Sequence, residues 1–315
     1  MQVMQVMQVM QVMQVTRARV LPMLALLLGP AAARADDGGL DAKVQAVLAE
    51  PGDAVQAGVW FGAPTGEPIY QRAADRAMPA ASVVKTALLV ELFAAHAGHL
   101  DEPLGGAADA VLAGDKHAAM APFSAAQRDE VRAALRGATV RTVGAIMMGS
   151  QRASNAVYNG AANLAIASLG GPAEATAKIR ARDAAFGGVA VRRYMLAART
   201  AGDNEATPAA LAAVLAQVAS ARLPGVDAAT ADAIAQAMMQ AKDPLGAHRH
   251  KEGNLDSDPM VMVKTGFYAR SGRPPLVYVV GAALSAKPTG SRDAAHRRLE
   301  KMVDAIHALL RSAAP

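Results

Sequence analysis

Residues 80–97 constrain the fold more than any other stretch. The run from Ser82 to His96, SVVKTALLVELFAAH, contains neither Gly nor Pro and is apolar on nearly every side of a 3.6-residue repeat. A helix without a polar face has to be enclosed by other elements. The chain must therefore supply a shell of helices and sheet around this one, and the anomaly to explain is Lys85, a charged residue in its first turn.

The rest of the sequence can supply that shell. The chain has 315 residues, 52% of them hydrophobic, 19% charged and 3% aromatic. That balance excludes a mostly disordered chain. Val55 to Phe61 and Glu67 to Arg72 flank the turn Pro64-Thr65-Gly66 and read as a hairpin. Helical patterns follow over Ser124–Leu135, over Thr142–Leu169 with a break near Ala153–Asn155, and over Ala173–Arg182, Pro208–Val218 and Ala228–Gln240. Residues 183–207 have no periodicity, and a run of that length inside a domain is usually functional. Met260–Phe267 and Leu276–Ala283 read as strands and Arg292–Arg311 as a terminal amphipathic helix. Strands at both ends and helices between them predict an α+β fold, with an antiparallel sheet built from both chain ends and an all-helical subdomain. The α/β part is expected over about 36–80 and 245–315, and the helical part over about 81–244.

The first 35 residues read as a leader. MQV occurs five times over residues 1–15, the low complexity of translated repeat DNA upstream of a true start. Arg17 and Arg19, the apolar stretch from Val20 to Gly29 and Ala33-Arg34-Ala35 then form the three parts of a signal peptide. Cleavage is expected after Ala35, giving a periplasmic or secreted chain of 280 residues without a membrane span. The formal charge is +5, and Arg17, Arg19 and Arg34 carry three of those charges with no acid before Asp36, leaving +2. So small a charge, with few aromatics, argues against a nucleic-acid partner. The chain has no cysteine, which excludes disulfides, thiolate metal sites and a cysteine nucleophile. No metal or other cofactor is expected: His248 and His250 have no third ligand nearby and read as an exposed polar loop with Lys251 and Glu252.

Two short motifs carry chemistry. In Ser82-Val83-Val84-Lys85, positions i and i+3 share one helix face, so hydroxyl and ammonium become neighbours. Serine needs an adjacent base to attack, and burial lowers a lysine's pKa until it can take that proton. With 11 Ser and 9 Lys such a pair arises by chance roughly 0.3 times. The second motif is Lys264-Thr265-Gly266 on the strand beginning Val261-Met262-Val263, where Lys264 could meet a substrate carboxylate and Gly266 would allow close backbone approach.

With these two motifs the chain resembles the penicillin-recognising serine hydrolases, in particular the class A β-lactamases, whose marks are S-x-x-K on a buried helix, a middle S-D-N and K-T-G on a strand. The likeness covers most of residues 40–312. Thr139-Val140-Arg141 resembles the T-V-R ahead of the family's middle motif, and Gly170-Gly171-Pro172 its Gly-Gly-Pro. The resemblance implies a β-lactamase/transpeptidase-like fold and an acyl-enzyme formed with β-lactams or peptidoglycan-type amides and esters. It casts Ser82 as nucleophile, Lys85 as base, and Lys264 and Thr265 as carboxylate binders. The N–H groups of Ser82 and of Phe267, the residue after Gly266, would face the oxyanion. A small-molecule or peptidoglycan-derived substrate and a monomer are expected.

Two departures stand out. No S-D-N is present; Ala153-Ser154-Asn155-Ala156-Val157-Tyr158-Asn159 is the best match, with Asn155 and Asn159 at the Asn positions and Ser154, or Ser150 one turn earlier, as the relay hydroxyl. Residues 183–207 resemble the family's Ω-loop, with Ala201-Gly202-Asp203 near its P-G-D, yet the deacylating Glu would fall at about Arg193 and no Glu occurs between Glu174 and Glu205. Slow deacylation is therefore expected. The alternative is a non-catalytic relative that binds a cell-wall or protein partner.

Overall fold

The structure, a computed structural model, describes residues 37–114 and 116–315. The leader and its cleavage site lie outside the described residues. The elements run in the order α1 (Asp37–Leu48), β1 (Val55–Gly62), β2 (Tyr70–Arg72), β3 (Met78–Pro79), a 3-10 turn (Ala81–Val84), α2 (Lys85–Ala95), α3 (Ala107–Ala113), α4 (Ala125–Leu135), α5 (Val140–Met148), α6 (Asn155–Ser168) and α7 (Pro172–Arg182). A second 3-10 turn (Ala184–Phe186), β4 (Glu205–Ala206), α8 (Pro208–Ala219), α9 (Ala228–Ala237), β5 (Met239–Asp243), β6 (Gly246–Leu255), β7 (Val261–Ala269), β8 (Leu276–Leu284) and α10 (Arg292–Ser312) follow. The large sheet has the order β2-β1-β8-β7-β6-β5, with antiparallel neighbours throughout. Strands from both chain ends thus meet in one sheet, as the α+β reading expects.

The sheet is covered on both faces. α1 and α10 seal one side around Val59, Tyr268, Val280, Leu299 and Ile306, and the helical part seals the other. β8, LVYVVGAAL, is buried at all nine positions because it lies between these two cores, and so reads as a continuous apolar run.

α2 is the centre of the helical part. α5, α6, α7, α8 and α9 all contact it, and every residue from Lys85 to Phe93 is buried. Burying Leu88, Leu89, Leu92 and Phe93 contributes about 2 kcal/mol each, enough to offset one costly polar group among them. The buried Glu91 is held bidentately by Arg182 of α7, at 2.6 and 2.9 Å. Removing one partner of a buried pair leaves the other charge uncompensated. Glu91→Ala is therefore expected to lower the unfolding free energy by about 3 kcal/mol, read from the urea midpoint at unchanged slope.

Two differences from the sequence reading matter for the site. The helix expected from Ala80 begins only at Lys85; the preceding turn carries Ala81 at φ 46°, a left-handed conformation that costs a non-glycine residue about 1–2 kcal/mol. And residues 239–255, expected to finish a helix and form a polar loop, are the two strands β5 and β6. Their sequence, MQAKD and GAHRHKEGNL, is almost free of β-branched residues, so propensity gives no strand signal. Pairing with β7 along nine positions imposes the strand instead.

Candidate active site

Ser82 opens the first turn before α2, partly exposed, on the wall of a cleft of about 1200 Å³. Its N–H lies at a helix start, where backbone donors have no partner within the helix, and it makes no hydrogen bond among the described residues. The left-handed Ala81 just before it aims this turn at β6. Gly253 lets the two meet: a Cβ there would lie 2.6 Å from Ser82 N and 3.1 Å from both Ala81 Cβ and Val83 N.

Lys85 is fully buried. Its Nζ donates to Asn159 Oδ1 at 3.0 Å and lies 3.2 Å from the centroid of the Tyr158 ring. Burial pushes its pKa well below the ordinary 10.5, and the nearby charge of Lys251 pushes in the same direction. The ring face and the amide oxygen favour the ammonium, but the loss of hydration on full burial outweighs them. The expected hydrogen bond between Lys85 and Ser82 is not formed among the described residues. The amine is desolvated as anticipated, but its hydrogen bond goes to α6.

α6 provides that partner. Asn159 is buried and its amide nitrogen donates to Asn155 O at 3.0 Å and Asn155 Oδ1 at 2.9 Å. Asn155 thus lines the cleft and orients Asn159. One turn on, the fully buried Asn163 accepts from Met195 N at 2.6 Å and donates to Ala119 O, tying residues 187–204 to the helix. The relay hydroxyls are elsewhere. Ser154 is exposed and caps α6, accepting from Val157 N, and Ser150 donates to Ala237 O. The side chain that both Lys85 and Lys251 approach is Tyr158, with Lys251 Nζ 5.0 Å from the ring centroid. The helix-capping preference of Ser explains the miss at Ser154: its oxygen satisfies an orphan N–H at the helix start.

The second motif requires correction. Lys264, Thr265, Gly266 and Phe267 lie on β7, one strand further in than β6. Lys264 turns toward α10, where it pairs with Asp304 and with Glu252, the latter at 3.5 Å. Burial opposes its charge, but these two carboxylates outweigh that and raise its pKa. The Thr265 hydroxyl is buried and donates to Lys251 O. Gly266 packs against the Arg249 backbone, and Phe267 is a core residue. None of the four lines the cleft. Lys251-Glu252-Gly253 on β6 stands where that motif was expected: Lys251 is 3% exposed with its Nζ on the Tyr158 side, Glu252 turns to the α10 face and pairs with Lys264, and Gly253 abuts Ser82. A K-x-G spacing directly after the helical part is the signal that sequence reading passed over.

The loop opposite carries no unpaired carboxylate among the described residues. Asp203 is held by Arg193 at 2.7 Å and Arg199 at 3.1 Å, and Glu205 by Arg192 at 2.6 Å. Arg199 continues across to the β6–β7 turn, donating to Ser257 Oγ at 2.6 Å and to Asp258 O. His248 and His250 lie on β6, stacked on each other under α10. Among the described residues no group of three His, Asp or Glu could hold a metal ion.

Comparison with known proteins identifies the fold that carries these residues. The Beta-lactamase enzyme family matches residues 39–271. A point mutant of the class A β-lactamase of the last common ancestor of Gram-negative bacteria is 18% identical, covers 86% of this chain and 98% of its own, and gives a TM-score of 0.62. A β-lactamase from Burkholderia vietnamiensis is 18% identical over 87% of this chain and 97% of its own, with a TM-score of 0.63. PBP-A is 15% identical over 87% and 96%, with a TM-score of 0.60. These likenesses show a shared fold. No curated protein matches the chain.

Proposed function

The chain belongs to the Beta-lactamase enzyme family, and on that premise we propose that it is a serine hydrolase that forms an acyl-enzyme through Ser82. The observation that carries this reading is a fully buried, pKa-lowered Lys85 one turn from a cleft-facing hydroxyl. Neutral Lys85 takes the Ser82 Oγ proton as the oxygen bonds to the carbonyl carbon. The tetrahedral oxygen is held by Ser82 N–H and by the N–H of Asn254, the residue after Gly253. When the C–N bond of a lactam or amide breaks, the Lys85 ammonium returns the proton to the leaving nitrogen. Catalytic hydrogen bonds are often long in the free enzyme and tighten in the complex, so Lys85 needs only to exchange Asn159 for Ser82.

Water activation then lacks a base. Arg193 stands near the expected position of the family's glutamate, and Asp203 and Glu205 are both ion-paired. Slow deacylation of β-lactams or peptidoglycan-type amides and esters follows. Export rests on the leader pattern before Asp36. A small-molecule substrate is all the chemistry requires.

Mass spectrometry tests this. A fluorescent penicillin is expected to add its whole mass to the Ser82 peptide and to remain for many turnover times of an efficient β-lactamase. An adduct elsewhere, or none, overturns the reading. A non-catalytic binder of a cell-wall or protein partner is the second reading, favoured by one observation: Lys85 hydrogen-bonds Asn159 rather than Ser82. Absence of any Ser82 adduct would favour it.

A further inference from the structure

We propose that Leu196 determines the substrate specificity of this cleft, by offering its side chain to an apolar group on the acyl donor. The inference rests on the acylation reading above.

Leu196 stands out twice. It is the one large hydrophobic residue exposed among the described residues, with 49% of its surface open, and it lines the same cleft as Ser82. Its backbone is also left-handed, with φ 63°. Among the described residues Ala73, Ala81 and Ala221 share that conformation, so Leu196 is the case with a large side chain. A lone exposed leucine is ordinary; one held there in a strained conformation points to function.

The strain comes from a tight turn. Ala197 N–H donates to Tyr194 O at 3.2 Å, which makes Leu196 the third of four turn residues. A positive φ at that position calls for Gly or Asn. Burial does not offset the leucine's strain, because half of its surface stays open. The surroundings hold the turn instead. Arg193 Nη1 donates to Ala197 O at 2.9 Å and to Tyr194 O at 3.5 Å, and Met195 N–H donates to Asn163 Oδ1 at 2.6 Å.

The same contacts tie Leu196 to the reacting groups. Asn163 lies one helical turn after Asn159, which holds Lys85. Asn204 O accepts from Ala80 N at 2.8 Å, two residues before Ser82, and its amide donates to Met195 Sδ at 3.8 Å. Leu196 thus projects from a wall anchored both to the Ser82 turn and to the helix that orients Lys85. An acyl donor seated on Ser82 covers this side chain when it carries an apolar group, and leaves it in water when it does not.

Two penicillins of equal charge test this. Benzylpenicillin carries a phenylacetyl side chain; methylpenicillin carries acetyl and lacks only the phenyl ring. Ser82 is expected to be acylated about tenfold faster by benzylpenicillin, the low end for apolar discrimination because Leu196 covers one side only. Leu196→Asn and Leu196→Gly suit the turn at least as well as leucine. They should fold with an unchanged far-UV spectrum while the rate ratio falls toward one, and Leu196→Met should keep the ratio. A wild-type ratio near one, or a ratio unchanged in both Leu196→Asn and Leu196→Gly, overturns the inference and leaves the acylation reading standing. No Ser82 adduct from either compound sinks both together.

Discussion

Lys85→Met should abolish acylation and at the same time make the protein more stable. Loss of a general base typically costs about 10²–10⁴-fold, so labelling of Ser82 should fall by roughly a thousandfold. Stability moves the other way. Met fills a similar volume in the core of α2 with no polar group to desolvate. The sign with pH follows from the lowered pKa. Between the folded-state pKa and about 10.4 the unfolded chain binds a proton that the native chain declines. Wild-type stability therefore falls as pH drops through that window, and levels off once the native amine is also charged. The variant has no such window. Its thermal midpoint should exceed that of wild type by a few degrees at neutral pH and converge with it above about pH 10.5. Wild-type acylation should decline as acid protonates Lys85. A variant that labels normally, or one that is less stable at neutral pH, contradicts this account.

Gly253→Ala should also silence the site, by geometry alone. The added Cβ would lie 2.6 Å from Ser82 N, a distance that real carbon atoms do not occupy, so β6 or the Ser82 turn must retreat. The contact atoms are two backbone nitrogens and the Ala81 Cβ, none of which can rotate aside. A displacement of about 1 Å at the reacting groups can cost a hundredfold in rate, and overpacking costs about 1–3 kcal/mol. Acylation is expected to fall about a hundredfold with the far-UV spectrum unchanged. Near wild-type labelling would mean that β6 does not help to frame the oxyanion.

The sequence was most legible where composition and periodicity agree. The apolar run of α2 announces a buried helix, and the break between α5 and α6 falls where polar and small residues interrupt the pattern. Ser82 and Lys85 could be picked out from their spacing, although the hydrogen bond of Lys85 goes to Asn159 and not to Ser82. What stayed hidden was β6, because HRHKEGN has no β-former and becomes a strand only through its neighbours. With β6 read as a loop, the nearest strand bearing a lysine and a glycine was β7, and Lys264-Thr265-Gly266 took the place that belongs to Lys251-Glu252-Gly253. Ser154 misled for a local reason: a serine before an apolar helix is first of all a cap.

The reach of Arg199 from Asp203 to Ser257 and Asp258 spans the groove like a girder. The loop that carries Asp203 is thereby tied to the β6–β7 turn, and the two can part only if Arg199 lets go of Ser257 and Asp258.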